Sequence, residues 1–133
     1  SFETPLVRGG ETLVPGGRLL AASVRTFTRP ADAYSVCADA GKLPLNTAVR
    51  TRREGDWIFP LGGPGCKSLS DYLIDRKCPR SKRDMPLLCD GSEVLWVVGG
   101  ALSERLRVDE KTKDIISICF EEDREHGPYD GRY

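Results

Sequence analysis

Residues Leu87 to Val98 read LLCDGSEVLWVV, and this stretch decides the fold. Its first three residues form a short apolar run, and the Asp90-Gly91 pair that follows is typical of a tight turn between two strands. Val94 to Val98 is a continuous run rich in strong β-formers, without the polar alternation of a half-buried strand. We therefore predict a β-hairpin whose second strand is central in a sheet and buried on both faces.

Other short apolar runs on both sides of this hairpin predict further strands, separated by turns rich in Gly and Pro. The expected strands are Thr12 to Val14, Leu19 to Phe27, Tyr34 to Ala38, Thr47 to Arg53, Trp57 to Pro60, Leu102 to Val108 and Ile115 to Phe120. We interpret residues 1–18 as an entering segment, 109–113 as a turn and 121–133 as a frayed polar tail. Mostly antiparallel strands with one main helix predict a single α+β domain over residues 1–133.

One segment has the spacing of an amphipathic helix. Its apolar side chains recur three and four residues apart, at Leu69, Tyr72, Leu73 and Ile74. Ser68 is suited to cap the helix N-terminus, with Asp71 three residues further on. Pro79 prevents the helix from continuing, because the residue before a proline avoids helical geometry. The same proline can begin a second short helical turn through Asp84.

Positive charge is concentrated in the middle of a chain that is neutral overall. The 133 residues include 20 Lys and Arg and 20 Asp and Glu, so the net charge alone indicates no class of partner. Residues 50–83 nevertheless hold nine basic and four acidic side chains, whereas residues 121–133 hold two basic and five acidic ones. Five of the eight residues from Arg76 to Arg83 are Lys or Arg. Such a cluster in a neutral chain favours an anionic partner, most commonly a phosphate backbone.

The basic turn after the predicted helix is the strongest candidate binding site. Arginine offers phosphate oxygens a planar fork and lysine a mobile point charge, so the mixture suits contact with a nucleic-acid backbone. The alternative is a solvated charged face whose charge is neutralised locally by Asp71, Asp75 and Asp84.

Two further features are open to a binding or a structural interpretation. In a strand, Arg50 and Arg52 would share one face and Arg53 would lie on the other, where such charges bind an anion or protect an exposed edge from aggregation. Trp57 and Trp96 could stack on bases, but their apolar surroundings favour places in the core.

The sequence offers little support for catalysis, a metal or a cofactor. The only histidine is His126, so a Ser-His-Asp set has little to assemble around, and the five cysteines include no close pair of zinc ligands. Residues 61–68, LGGPGCKS, lack the glycines that a P-loop needs at Leu61 and Cys66. A Gly-rich approach to a helix can still expose backbone N–H groups to a phosphate.

Cysteine usage and hydropathy indicate a compartment. Cys37, Cys89 and Cys119 lie in apolar runs, which indicates buried, reduced thiols and fits a cytosolic protein. No stretch approaches the about 20 apolar residues of a membrane span, and no signal peptide opens the chain. We expect a cytoplasmic location and no membrane partner. Because the chain begins with Ser1, we also expect a processed product or a fragment of a longer protein.

An ordered series of motifs fills the middle of the chain: VRTRREGDWIFP at 49–60, LGGPGCKSLSDYLIDRKCPRSKRDMPLL at 61–88 and EVLWVVGGALSERLRV at 93–108. Together they resemble the C-terminal domain of tRNA(Ile)-lysidine synthetase. The matching landmarks are Gly55-Asp56, Lys67, Lys77, Pro79-Arg80, Arg83, Pro86-Leu87-Leu88, Trp96-Val97, Gly99 and Ser103 with Arg105. The likeness is close over residues 47–115 and looser over residues 3–46.

The resemblance implies a fold and an activity. The fold is a layered sheet sandwich similar to a domain of the phenylalanyl-tRNA synthetase β subunit. The implied enzyme is a ligase that joins lysine to the wobble cytidine of isoleucine tRNA, with ATP bound by a Ser-Gly-Gly-x-Asp-Ser loop in an N-terminal domain. That loop does not occur in this sequence. We therefore expect an inactive C-terminal domain, without a cofactor, that grips the tRNA body or acceptor stem.

We assign the predicted RNA contacts to eight basic side chains: Lys67, Arg76, Lys77, Arg80, Lys82, Arg83, Arg52 and Arg105. The implied partners are isoleucine tRNA and the N-terminal catalytic domain of the same enzyme. The alternative is a structural or dimerisation module that orients the catalytic domain without binding RNA. It would present a free edge strand or exposed apolar surface around Leu102 and Leu106.

Overall fold

Ten strands and one α-helix are found in the computed structural model, which describes residues 1–79 and 83–123. The strands are β1 Glu3–Pro5, β2 Gly10–Val14, β3 Gly17–Val24, β4 Ser35–Asp39, β5 Ala48–Arg50, β6 Trp57–Ile58, β7 Lys67–Ser68, β8 Leu87–Asp90, β9 Glu93–Val97 and β10 Ile115–Glu122. The helix α1 is Leu69–Asp75, and short 3-10 helices occupy Ala40–Lys42 and Glu104–Leu106.

The strands form two sheets that pack face to face. The six-stranded sheet has the order β1-β5-β8-β9-β6-β7, and the four-stranded sheet has the order β2-β3-β10-β4. Neighbouring strands are antiparallel except β6 and β9, which are parallel. Helix α1 covers the other face of the six-stranded sheet. This arrangement confirms the predicted α+β sandwich of mostly antiparallel strands with one main helix.

Alternation along the six-stranded sheet divides the core into two clusters. Leu88 faces the four-stranded sheet and belongs to the same cluster as Ile118, whereas Leu87 faces α1 and belongs with Leu73. All five residues of β9 are buried, and Trp96 has no exposed surface. The predicted hairpin, its central strand and the core position of Trp96 are therefore confirmed.

Helix α1 begins as the sequence predicts. The Ser68 hydroxyl accepts a hydrogen bond from the Asp71 N–H at 3.0 Å, which satisfies one of the free donors at the helix N-terminus. The helix buries three side chains against the six-stranded sheet: Leu69, Tyr72 and Leu73. Ile74 is 59% exposed, so its predicted place in the apolar stripe is wrong. It lies one position beyond the three- and four-residue spacings that define that stripe.

The predicted strand from Leu102 to Val108 is wrong. Isolated bridges at Leu102 and Ser103 join this segment to its neighbours, and a 3-10 helix follows them. The Ser103 hydroxyl accepts the Arg105 N–H at 3.0 Å. Serine competes in this way for nearby backbone groups, so the chain turns although its apolar residues alternate as in a strand.

The apolar surface predicted around Leu102 and Leu106 is also wrong, because these side chains are only 8% and 0% exposed. They lie in the core between the two sheets. The 3-10 turn directs them inward and leaves the neighbouring charged side chains, Glu104, Arg105 and Arg107, in solvent.

Several strand boundaries differ from expectation. Strands β5 and β6 are shorter than predicted and end at Arg50 and Ile58, and the entering segment contains the additional strand β1. Glu121 and Glu122 continue β10 and do not begin a frayed tail. The rest of that tail, residues 124–133, lies outside the described residues. Most of the predicted helical turn after Pro79 does so too.

A buried ion pair between Arg50 and Asp56 is the main polar feature of the core. Guanidinium nitrogens donate to the two carboxylate oxygens at 2.8 and 3.0 Å, and the side chains are 3% and 1% exposed. These hydrogen bonds raise the pKa of Arg50 above its usual value. The prediction that Arg50 shares a strand face with Arg52 is wrong, because β5 ends at Arg50 and its side chain turns inward.

The same ion pair fixes backbone groups from three other places. The Asp56 carboxylate accepts the Arg53 N–H at 2.7 Å, and the Asp56 carbonyl accepts the N–H of Leu69, the first residue of α1, at 2.8 Å. Arg50 also donates to the carbonyl of Gly91, in the β8–β9 turn, at 2.8 Å. The end of β5, the hairpin turn and the start of α1 are thereby held in register.

The cysteines differ in exposure. Cys37 and Cys89 are buried as predicted, Cys119 is half-buried, and Cys66 is exposed. Burial raises the pKa of Cys89 to about 12, so its thiol stays protonated and unreactive at neutral pH. Within residues 1–79 and 83–123, no cluster of His, Cys, Asp and Glu is arranged to hold a metal. No helix in these ranges combines the length and apolar character required to cross a membrane.

Replacing Arg50 with Met should destabilise the domain by about 3 to 5 kcal/mol, because the Asp56 carboxylate would remain buried without its cation. Urea unfolding measures this change. Arg53→Gln is the matched control, since it removes a guanidinium that pairs with Glu3 at the surface and should change stability little. Similar small effects of both substitutions would show that the buried pair does not organise the fold.

Thiol labelling should follow the order of exposure. We expect iodoacetamide to modify Cys66 first, whereas Cys37 and Cys89 should react only when the domain unfolds. Mass spectrometry of peptides after timed labelling measures each rate. Labelling of Cys89 as fast as Cys66 in the folded protein would contradict the described core.

Candidate nucleic-acid interface

Helix α1 ends in a left-handed turn before it reaches the proline. The Lys77 N–H donates to the carbonyl of Ile74 at 2.9 Å, and the Cys78 N–H donates to the carbonyl of Leu73 at 3.0 Å. Lys77 itself has a φ of 53°. These features define a Schellman motif. The helix therefore stops for a different reason from the one predicted, since Pro79 only follows a turn that has already formed.

Lys77 occupies a backbone conformation that glycine normally supplies. Among the residues that the structure describes, it alone combines a side chain with a positive φ. The left-handed region costs a residue with a side chain about 1 kcal/mol or more. The Lys77 side chain is exposed and forms no ion pair with a described acid. Lys77 thus combines a strained backbone with a charge that no described acid neutralises.

Arg76 lies beside Lys77 and is also exposed. Its guanidinium carbon is 5.4 Å from the centroid of the Tyr72 ring, one helical turn earlier. Stacking on this ring orients the guanidinium without neutralising its charge. Like Lys77, Arg76 has no ion pair within residues 1–79 and 83–123. The two cations therefore face solvent together at the end of α1.

Arg83 is hydrogen-bonded to the residue before Pro79. Its Nε donates to the carbonyl of Cys78 at 3.1 Å, and the side chain is half-buried. This bond ties the two ends of the segment between Cys78 and Arg83. Arg80 and Lys82, which the sequence assigns to the same contact, lie within that segment and outside the described residues.

Two other predicted contacts already have acidic partners. Lys67 forms an ion pair with Asp75 across α1. Arg105 pairs with the largely buried Glu93 and lies 3.6 Å from a carboxylate oxygen of Asp90. Their charges are thus partly neutralised, and Arg105 lies on a different part of the surface from the end of α1.

Arg52 lies near the start of α1. It is exposed and lines a shallow depression together with Ser68, Ser70 and Trp57. The structure offers little free backbone there for an anion, because the N–H groups of Leu69 and Asp71 are already hydrogen-bonded. The seven-residue helix is about 10 Å long, so Arg52 and the Arg76-Lys77 pair flank its two ends.

A cleft of about 190 Å³ opens beside the C-terminal end of α1. Its walls include Tyr34, Tyr72, Arg76, Met85 and the Gly99-Gly100 pair. Side chains are excluded at both glycines. Gly99 has a φ of 86°, and a Cβ atom at Gly100 would lie 2.9 Å from the Tyr72 hydroxyl. The backbone of this pair therefore forms part of the wall.

The sequence did not single out this cleft. Tyr34 was predicted as the first residue of a strand, but it lies in the turn before β4, and Met85 comes from a loop that no periodic pattern marked. The four-residue spacing of Tyr72 and Arg76 was a usable signal for their stacking. Of the tryptophans, Trp57 is half-buried and packs edge-on against Phe59 with ring centroids 5.4 Å apart.

Comparisons with known proteins identify the family and agree with the fold. A family model described as the TilS substrate C-terminal domain matches residues 47–118. A crystal structure of a TILS C-terminal domain has a TM-score of 0.78 and 25% sequence identity to this chain, and the match covers 93% of this chain and 98% of that one.

Two curated relatives belong to the same family. A tRNA(Ile)-lysidine synthase of Parabacteroides distasonis is 42% identical over 83 residues, which cover 62% of this chain and 19% of that protein. A tRNA(Ile)-lysidine synthase of Symbiobacterium thermophilum is 37% identical over 121 residues, which cover 86% of this chain and 25% of that protein. The chain thus spans about a fifth to a quarter of the length of these relatives. Because the family model matches more than half of its residues, this chain belongs to the TilS substrate C-terminal domain family.

Proposed function

We propose that this domain binds isoleucine tRNA through a basic helix-turn, defined as Arg76, Lys77 and the turn up to Arg83, for a tRNA(Ile)-lysidine synthase. The observation that carries the proposal is Lys77, held in a left-handed conformation beside an equally unpaired Arg76. The fold accepts a strained backbone where glycine would be more stable, and the result is two adjacent cations in solvent. Phosphate is the chemical group that such a pair suits best.

Each basic side chain has a distinct part in this proposal. Arg76 and Lys77 contact phosphates directly, and Arg52 extends the contact at the other end of α1. Arg80 and Lys82 join them on the basis of sequence alone. Arg83 is tied to the end of α1 by its hydrogen bond to the carbonyl of Cys78. Lys67 and Arg105 contribute less, since each has an acidic partner.

The remainder of the enzyme would supply the chemistry. The relatives are named for a synthase, and this chain matches about a fifth to a quarter of their length. We propose that an N-terminal catalytic domain binds ATP and joins lysine to the tRNA in the cytoplasm, while this domain holds the same tRNA molecule. The domain itself then needs no cofactor.

A second candidate function is a structural or dimerisation module, favoured by the outer face of the four-stranded sheet. Strand registers place eight uncharged side chains on that face: Leu20, Ala22, Val24, Ser35, Cys37, Ile115, Ser117 and Cys119. Charges lie at both ends of this surface: Arg18 pairs with Glu11 and Glu121 at one end, and the register places Asp39 beside Ile115 at the other. A solvated sheet face is usually more polar, so this one suits contact with another protein surface.

Removing the two exposed cations should flatten the salt dependence of tRNA binding. For Arg76→Gln combined with Lys77→Gln, we expect the slope of log affinity against log salt to become shallower by about 1.4 to 1.8, the loss of two phosphate contacts. Affinity should fall most at low salt. Fluorescence anisotropy with labelled isoleucine tRNA over a salt series measures both quantities.

The matched control is Lys111→Gln combined with Lys113→Gln, which removes the same charge from exposed lysines in the loop before β10. This variant should keep the slope of the unmodified domain. Equal losses of tRNA affinity in both double variants would show that binding depends only on the net charge of the domain. An unchanged salt slope in the Arg76-Lys77 variant would contradict the proposal.

Substitution of Lys77 should separate stability from binding. Lys77→Gly should stabilise the domain by up to about 1 kcal/mol, because glycine relieves the left-handed strain, and it should still weaken tRNA binding. Lys77→Gln keeps the strain and removes the charge, so it should weaken binding without the gain in stability. Urea unfolding and anisotropy on the same samples measure the two effects. A Lys77→Gly variant that binds tRNA normally would show that the Lys77 side chain makes no contact with the RNA.

Sedimentation of the 133-residue chain tests the second candidate. If the uncharged sheet face mediates self-association, the chain should sediment as a dimer, and Ser117→Arg should convert it to a monomer. A stable dimer without affinity for tRNA would favour the structural module. A monomer that binds tRNA would leave that face to another part of the enzyme or to solvent.

A further inference from the structure

The cleft beside the basic helix-turn combines a flat apolar interior with a cationic rim. Tyr34 is half-buried and forms one wall of the cleft. Its ring packs against Phe120, with the ring centroids 6.5 Å apart. The guanidinium of Arg76 stacks over the ring of Tyr72 on another side. Met85 contributes a polarisable side chain to the interior.

The remaining wall consists of glycine backbone, where a side chain would collide with the tyrosines. A Cβ atom at Gly99 would lie 3.2 Å from Tyr34, and one at Gly100 would lie 2.9 Å from the Tyr72 hydroxyl. That hydroxyl is fixed, since it accepts the N–H of Ala101 at 2.8 Å. The cleft thus has aromatic and guanidinium planes beside a wall of bare backbone. The N–H groups of Gly99 and Gly100 are not free for a ligand, since they already donate to the carbonyls of Ala33 and Val97 at 3.0 and 2.7 Å.

This cleft differs in charge from a second depression beside it. The described residues that line it include Arg76 and no acid. Tyr34 and Met85 also line a second depression, but that one includes Asp32 and Glu122, which would repel a phosphate. An occupant with a flat ring attached to an anion therefore fits the first cleft and not the second.

We propose that this cleft holds one unstacked nucleobase of the bound RNA, while the basic helix-turn contacts the adjoining phosphates. The proposal rests on the proposed function, because it assigns a second contact to the same RNA. Unpaired bases in loops and at chain ends are free to leave the stack, and proteins bind them on aromatic rings and guanidinium planes. The base lies against Tyr34 and Arg76, with its edge toward Gly99 and Gly100.

Tyr34 provides the test in intact tRNA. Tyr34→Leu should weaken binding about 5- to 150-fold, the loss expected for one base stacked on an aromatic ring, while the salt slope stays unchanged. Tyr34→Phe keeps the ring and should bind like the unmodified domain. An unchanged slope distinguishes this loss from that of the phosphate-contact variants.

A second measurement needs no substitution and no tRNA. In two-dimensional amide NMR of the unmodified domain, adenosine monophosphate should shift the resonances of Gly99 and Gly100, whereas ribose 5-phosphate should not. Titration of both ligands at millimolar concentration compares a nucleotide with the same sugar phosphate lacking its base. This measurement decides the matter if Tyr34→Leu fails to fold.

The outcomes separate the two proposals. Normal tRNA binding by Tyr34→Leu overturns the nucleobase site and leaves the salt-dependent contact intact. Identical shifts from adenosine monophosphate and ribose 5-phosphate also overturn the nucleobase site. Weak tRNA binding by Tyr34→Leu overturns it too if the shifts do not depend on the base. If the unmodified domain binds no tRNA, the proposed function fails, and the shifts at Gly99 and Gly100 still determine whether the cleft binds a base.

Discussion

The buried ion pair between Arg50 and Asp56 is the constraint on which the arrangement of the basic helix-turn depends. Burial of two charges is unfavourable unless they are paired and hydrogen-bonded, and here both carboxylate oxygens and both terminal guanidinium nitrogens have partners. The bond from Leu69 to the Asp56 carbonyl sets where α1 begins, and that in turn sets where it ends. An apolar pair of similar volume could fill the space but could not fix these directions.

The strained turn at the end of α1 is held in place because the start of the helix is fixed. A helix held at its N-terminal residue and packed through Tyr72 and Leu73 has little freedom to shift when its last turn is forced into the left-handed region. The Schellman bonds to Ile74 and Leu73 then project Lys77 outward, while Arg76 is oriented by stacking. Unpaired cations at fixed positions recognise phosphate groups with less loss of side-chain freedom than cations on a flexible loop.

The sequence predicted the central hairpin and the helix because their signals are local, whereas the layered arrangement of the sheets came only from the resemblance to a family. The apolar run of β9, the Asp90-Gly91 turn and the Ser68 cap each act within a few residues. Prediction from the sequence failed where contacts between distant residues determine the structure. Arg50 looked like a member of a surface cluster, since nothing nearby reveals that Asp56 folds back to meet it. The strand predicted at Leu102 failed because a serine hydroxyl turned the backbone. Of the candidate site, the basic cluster was visible in the sequence, but which cations already have acidic partners was not.

Amide NMR of the 133-residue chain titrated with isoleucine tRNA tests the proposed interface most directly. The predicted result is a continuous set of perturbed resonances from Asp71 through Cys78 and at Gly99 and Gly100, which shrinks as salt is added. Perturbations centred on the outer face of the four-stranded sheet, around Leu20 and Ser117, would contradict it. The absence of any perturbation at low salt would contradict it as well.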